Sequence, residues 1–191
     1  MEESQGIITR LTKLTDTSLI VHWFTADSGL IKTVAKGARR PKSPFAGRLD
    51  LFFSADLQWS RSRASELHTL RESSPTHFRQ AIRENYHSTL LAAYCCRLLE
   101  ATVEPDHPEP ELHDLLRRAL DHIDASGPSS KALFHFEHEL ARLLGLTHRK
   151  SQAAGVLRQS LGSLPPQRDL LLNALANPSN LPFPDPPSGL T

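Results

Sequence analysis

The sequence predicts an α+β chain: a small five-stranded β module at the N-terminus, followed by an all-α domain. Three observations predict it. Short runs rich in Ile, Leu, Thr and Val recur through residues 5–72, separated by polar turns. From residue 77 the apolar period lengthens to that of a helix. Between the two lies Ser73-Ser74-Pro75-Thr76, which reads as a domain boundary and a helix start. The expected division is a β domain at 1–73, a helical domain at 74–177 and a tail at 178–191. Five prolines between Pro178 and Pro187 mark that tail as disordered.

The strands follow in order. Gly6–Leu14 and Ser18–Thr25 flank Thr15-Asp16-Thr17, and Ala26-Asp27-Ser28-Gly29 is a hairpin turn in which Gly29 can take a positive φ. Leu30–Ala38 is the third strand. Lys32, Val34 and Lys36 share one of its faces, the two lysines roughly 13 Å apart at ~3.3 Å per residue. Gly37 breaks this strand. Ala55–Arg61 and Glu66–Glu72 form another hairpin around Ser62–Ser65. Five short antiparallel strands left as a flat sheet would expose their edges, so a small closed barrel is expected. An OB barrel and an SH3-like barrel both satisfy that pattern.

Helices then follow in series. His87–Val103 carries Leu91, Tyr94, Cys95, Leu98 and Ala101 along a stripe. Glu109–Asp124 places Leu112, Leu115, Leu116, Ala119, Leu120 and Ile123 on one face, with Pro110 tolerated in the first turn. Ser129–Leu144 is the third, ended by Gly145, and weaker helices cover Ala153–Leu161 and Pro166–Ala176.

Composition narrows the function. The chain has 191 residues, 39% of them hydrophobic, and a formal charge of +1. No apolar run approaches the ~18 residues of a membrane span. The start, Met1-Glu-Glu-Ser, lacks an apolar signal region, so a cytoplasmic, nucleoid-associated protein is expected. Cys95 and Cys96 are adjacent; neighbouring helical positions point about 100° apart, which disfavours a disulfide, and zinc sites need spaced pairs. His135 and His138 match neither zinc-protease helix pattern. Phosphate-loop, dinucleotide and nucleophile-elbow motifs do not occur. The expectation is a binding protein with no catalytic residue, no cofactor and no metal.

Charge is unevenly placed. Leu30–Arg48 holds six Lys and Arg residues and no acid, whereas Leu99–Asp124 carries eight acids against Arg117 and Arg118. Opposed charge on one chain suits two partner surfaces, or two merely solvated faces. At the centre of the basic segment is Lys36-Gly37-Ala38-Arg39-Arg40-Pro41-Lys42-Ser43. It is either a solvated turn or a grip on phosphates, for which arginine supplies bidentate contact and lysine a point charge. The candidate DNA contacts are Lys32, Lys36, Arg39, Arg40, Lys42 and Arg48, joined by Arg61, Arg63 and Arg71 from the second hairpin. Trp23, Phe24 and Trp59 are either core residues or platforms on which bases stack.

The same residues resemble a known family. Gly6-Ile7-Ile8, Ser18-Leu19-Ile20-Val21, Phe24-Thr25, Gly29-Leu30-Ile31 and the Lys36–Ser43 octapeptide are similar to the N-terminal module of RecO DNA repair proteins. Leu67-His68-Thr69-Leu70-Arg71-Glu72 resembles the end of that module. Tyr94, Leu98-Leu99, Pro110-Glu111-Leu112, Leu115-Leu116 and Phe136-Glu137-His138-Glu139-Leu140 resemble its helical domain. The resemblance covers residues 5–146. It implies an OB-fold that binds single- and double-stranded DNA through Lys36, Arg39, Arg40 and Lys42. It also implies a helical domain that works with RecR and with the tail of single-strand binding protein, annealing strands and assisting RecA loading. Many family members insert a four-cysteine zinc ribbon that this sequence lacks, and the region after Leu146 reads as abbreviated. The competing expectation is an interaction adaptor derived from that family without strong DNA binding.

Overall fold

A computed structural model describes residues 1–176; the proline-rich tail at 178–191 lies outside the described residues. The first five elements are strands: β1 (Glu2–Lys13), β2 (Leu19–Thr25), β3 (Gly29–Ala35), β4 (Ser54–Ser60) and β5 (Leu67–His77). They close into a barrel in the order β1-β2-β3-β5-β4, with β3 and β5 parallel and every other pair antiparallel. This is the OB-type arrangement. Among the described residues six α-helices follow: α1 (Gln80–Glu84), α2 (Tyr86–Glu100), α3 (Pro110–Ser126), α4 (Ser130–Leu143), α5 (Ala153–Leu161) and α6 (Gln167–Ala176).

Alternation along the strands fills the barrel. Ile8, Val21, Trp23, Ile31, Leu57, Trp59 and Leu70 point inward, and Phe45 from the β3–β4 connection plugs one end. Both indole N–H groups are satisfied inside: Trp23 donates to Thr33 Oγ1 at 2.9 Å and Trp59 to Ser4 Oγ at 3.1 Å. Trp23, Phe24 and Trp59 have no exposed surface, so they are core residues and present no face to a base.

Barrel and helices share a core. Ile7, Phe24 and Phe52 lie on the outside of the barrel and belong to the same buried cluster as Leu98, Leu112, Leu116, Phe136 and Leu140. The α2–α3 connection also crosses the β2–β3 turn. Asp106 N–H donates to the Leu30 carbonyl at 3.1 Å. A Cβ on Gly29 would stand 2.0 Å from the His107 carbonyl oxygen, and Gly29 has φ +66°, so only glycine fits there.

Three sequence expectations change. Ser73–Thr76 is not a helix start but the second half of β5, with Leu57 opposite Ser73 and Ala55 opposite Pro75. Proline is tolerated because this half of β5 pairs with β4 alone, so its missing N–H breaks no ladder bond. The third strand stops at Ala35 rather than Ala38, and α2 ends at Glu100, leaving Ala101 outside the apolar stripe as its C-cap. The α2 start is set by Asn85, whose side chain accepts from Ser88 N–H at 3.0 Å. Cys95 and Cys96 are free and buried in α2, and burial pushes both thiols up.

Inside the bundle, Glu137 on α4 is buried and accepts from Tyr94 Oη and from Arg168 Nε at 2.6 Å and Nη2 at 3.2 Å. This buried pair fastens α6 to α2 and α4. Breaking one side strands a carboxylate in a dry core, so Arg168→Met should lower the unfolding free energy by about 3 kcal/mol. The combined change Tyr94→Phe, Glu137→Leu, Arg168→Met removes every polar partner together and should recover most of that loss, as read by urea unfolding. A second fastening joins the domains. Arg79 donates to Asp121, to the Phe52 carbonyl and to Ser54 Oγ. Arg79→Ala is expected to cost about 3 kcal/mol in the same measurement.

Candidate nucleic-acid interface

β3 leaves the barrel at Ala35 and passes into a chain of tight turns. Arg40 N–H donates to the Gly37 carbonyl at 3.0 Å, Ser43 N–H to Arg40 at 3.1 Å, Ala46 N–H to Ser43 at 3.2 Å and Arg48 N–H to Phe45 at 3.0 Å. Gly37 has φ 70°, and its N–H donates to Ser18 Oγ. The β1–β2 turn buttresses this segment: Arg39 N–H donates to the Thr17 carbonyl and Arg39 Nη1 to the Asp16 carbonyl. The basic loop is therefore anchored from below by Phe45 and from the side by residues 16–18.

The structure separates the predicted contacts into two groups. Lys36, Arg39, Arg40 and Lys42 are exposed in these turns, and among the described residues none forms an ion pair. Arg39 spends donors on a neutral carbonyl, which leaves its charge uncompensated. Arg63 is likewise exposed and unpaired among the described residues, and Arg71 donates only to Ser60 Oγ at 3.0 Å. β3 and β5 pair in parallel as far as Val34 and Thr69; beyond that point β3 passes into the basic turns while β5 continues through Arg71.

The other three are held by carboxylates. Lys32 pairs with Glu66 at 3.1 Å. Arg48 lies 4.0 Å from Glu72 and donates to the Ser73 carbonyl on the open edge of β5. Arg61 is the most committed. It donates twice to Glu2, reaches Asp106 at 3.3 Å and stands over the Trp59 ring, and the hydrogen bond to Glu2 raises its pKa further. Buried His68 stacks on Trp59, accepts from Ser62 N–H on Nδ1 and faces Asp106 with Nε2 at 3.5 Å. This end of the second hairpin is a latch onto the α2–α3 connection.

The acidic segment is also largely committed internally. Glu100 binds Arg10, Asp106 binds Arg61, Asp121 binds Arg79 and Arg117, and Asp114 binds Arg117 and Arg118. Arg117, followed by Arg118, holds the Asp114 carboxyl below its usual range. Asp124 accepts from Ile82 N–H. The negative charge of residues 99–124 is mostly structural, whereas that of the β3–β4 loop is left open. His135 and His138 do not converge: His135 lies exposed, while His138 is buried against Glu139 and the His148 carbonyl. Among the described residues no group of three His, Cys, Asp or Glu is placed to hold a metal ion.

Sequence reasoning missed Arg10 and His22. They lie on the outer face of the barrel beside Lys32, with Arg10 opposite His22 and His22 opposite Lys32. Hairpin counting from Ile8 opposite Trp23 would put Arg10 opposite Val21; a β-bulge between Ile8 and Arg10 shifts the register by one residue. No residue type at Thr9 announces the bulge.

Comparison with known proteins agrees with this geometry. The family model described as recombination protein O N terminal matches residues 1–79, and that described as recombination protein O C terminal matches 83–155. The DNA repair protein RecO of Rhodopirellula baltica is 39% identical over 143 residues, which is 73% of this chain and 52% of the relative. The RecO of Syntrophotalea carbinolica is 32% identical over 126 residues, 66% of this chain and 49% of the relative. That of Listeria monocytogenes is 30% identical over 146 residues, 76% of this chain and 56% of the relative. The chain thus spans about half the length of the curated relatives it matches. A five-stranded barrel with an anchored basic loop, a helical domain sharing its core, and both family models matching in order together place this chain in the RecO family of DNA repair proteins.

Proposed function

We propose that this protein binds single- and double-stranded DNA through the β3–β4 loop, anneals complementary strands and, with RecR, assists RecA loading onto strands coated by single-strand binding protein. The observation that carries the DNA-binding step is the loop itself. Lys36, Arg39, Arg40 and Lys42 are exposed, uncompensated among the described residues, and mounted on turns tied to the barrel. Contacts of this kind read the phosphate backbone and not the base sequence, which suits a protein acting on any strand. Arg71 and Arg63 extend the same surface, while Arg48 and Arg61 serve the fold. The role is one of binding and positioning, without a reaction catalysed by the chain. No described helix is long and apolar enough to cross a membrane.

Partner binding belongs to the helical domain. A groove of about 430 Å³ lies between α2, α3 and α4, with Leu91, Ala119 and Phe136 as floor and Lys131, His135 and the Asp114-paired Arg118 on its rim. An apolar floor with a cationic rim suits an acidic chain end carrying apolar side chains, and there we place the tail of single-strand binding protein. The second reading, an interaction adaptor without strong DNA binding, rests on the abbreviated region after Leu146 and on the acidic segment, of which Glu100, Asp106, Asp114 and Asp121 are engaged in internal ion pairs.

Two measurements test these readings. The combined variant Arg39→Ala, Arg40→Ala, Lys42→Ala should reduce the slope of log affinity against log salt on oligothymidylate by about 2, at ~0.7 per lost single-strand phosphate contact. An unchanged affinity and slope would remove the loop as the site. Charge reversal at the groove, Arg118→Glu with Lys131→Glu, should abolish capture by immobilised single-strand binding protein and leave oligothymidylate affinity within about twofold, since rim charges act on one partner only. It should also slow annealing of complementary strands coated with that protein.

A further inference from the structure

The outer face of β1–β2–β3 carries a row of nitrogen-bearing side chains that the loop does not account for. Arg10, His22 and Lys32 occupy directly opposite positions on three neighbouring strands. Like charges facing each other across strands destabilise a sheet, so such a row needs an offset. Each end has one. Glu100 of α2 accepts from Arg10 Nη2 at 3.0 Å and from Thr9 Oγ1 at 2.6 Å, and Glu66 accepts from Lys32 Nζ at 3.1 Å. Neither offset exhausts the row. Arg10 spends one of its five donors on Glu100. Glu66 is 76% exposed, so its pair with Lys32 exchanges readily with a competing anion. His22 stands half-buried in the middle, and among the described residues its ring nitrogens have no hydrogen-bond partner.

The surroundings are those of a binding cleft. The three side chains line a hollow of about 230 Å³ where the barrel meets the helical domain, walled by Leu30, Val103 and Pro105. Next along the strands, Thr12, Ile20 and Val34 form a second cross-strand row, partly open to solvent. Beyond that row the chain reaches Lys36 and the basic turns. Lys32 and Lys36 are roughly 13 Å apart along the chain at ~3.3 Å per residue, a gap that a few nucleotides of an extended strand bridge.

We propose that Arg10, His22 and Lys32 form a phosphate subsite for single-stranded DNA at the junction of barrel and helical domain. The strand runs to it from the Lys36–Lys42 turns across Thr12, Ile20 and Val34. The proposal rests on the DNA-binding reading above and adds a second, chemically distinct contact to it. Apolar side chains at Ile20, Leu30 and Val103 meet the sugars and base faces, and the three nitrogens meet the backbone.

The histidine gives this subsite a signature that the loop lacks. Burial, and then the Arg10 guanidinium, hold the His22 ring below its ordinary range; Lys32 acts in the same direction and Glu100 against it. These are the charged groups that face it from β1, β3 and α2. A bound phosphate brings a negative charge to the ring and favours its protonated form, so binding takes up a proton. Affinity therefore rises as pH falls through the pKa of the complex and levels off below that of the free protein.

The test is fluorescence anisotropy with oligothymidylate carrying a pH-insensitive dye, at constant ionic strength, between about pH 8 and about pH 5.5, the range in which histidine titrates. Thymine does not titrate there. The wild type should bind several-fold tighter at the acid end, and His22→Gln should lose that gain while matching the wild type at the alkaline end. Lys32→Ala should lower the salt slope by about 0.7. Arg39→Ala, Arg40→Ala, Lys42→Ala should weaken binding at every pH and keep the acid gain. A thermal melt checks that each variant is folded. If His22→Gln and Lys32→Ala bind as the wild type does while the loop variant is weakened, the subsite is overturned and the loop stands. If the wild type does not bind oligothymidylate at all, the DNA-binding reading falls and takes the subsite with it.

Discussion

One guanidinium joins the two halves of this molecule. Arg79 is almost wholly buried, and it donates to Asp121 of α3 at 2.8 Å, to the Phe52 carbonyl at 2.6 Å and to Ser54 Oγ at 2.9 Å. The residue at each end of this clamp is strained: Arg79 has φ 45° and Phe52 has φ 67°, values that non-glycine residues avoid. They persist because the apolar cluster on either side determines them, with Phe52, Phe24 and Ile7 of the barrel inserted among the leucines of α2 and α3. A charge buried so deeply is tolerable only when it is paired and hydrogen-bonded, as Arg79 is through Nε, Nη1 and Nη2. Loosening it would free the start of β4, and with it the barrel wall that faces the helices.

That rigid junction has an electrostatic consequence. It brings the acids of residues 99–124 against cations of the barrel, of the β5–α1 junction and of α3 itself, where they pair with Arg10, Arg61, Arg79 and Arg117. Lys36, Arg40 and Lys42 stay outside the reach of any described carboxylate. A chain of near-zero net charge thereby acquires one face with a localised positive field, and the field decides what approaches it. Most of the barrel's other cations are tied to carboxylates of the barrel or of the helical domain, while Lys36, Arg39, Arg40 and Lys42 of the β3–β4 loop are not, among the described residues.

Much of the architecture was legible from residues. The period of α3 is written in Leu112, Leu115, Leu116 and Leu120, and α5 runs over Ala153–Leu161 as its pattern predicts. β5 was misread because Ser73-Ser74-Pro75-Thr76 has the composition of a helix start, yet an edge with no second neighbour accepts proline without loss. The basic loop was visible as an acid-free run of six cations. Which of those cations are free was not visible, because the partner of Arg61 is 59 residues away at Glu2 and that of Arg10 is 90 residues away at Glu100.

The amino-acid order settled what depends on near neighbours: strand and helix periods, the turn at Gly37, the cluster of charge and the family resemblance. Packing decided the rest. Closure of the barrel put Trp23 and Trp59 inside and denied them to a ligand. One bulged residue at Thr9 turned Arg10 to the same row as His22 and Lys32. The division follows from the range of the forces involved. Backbone propensity and periodicity act over a few residues, whereas burial and charge compensation depend on distance in space, which only the folded chain defines.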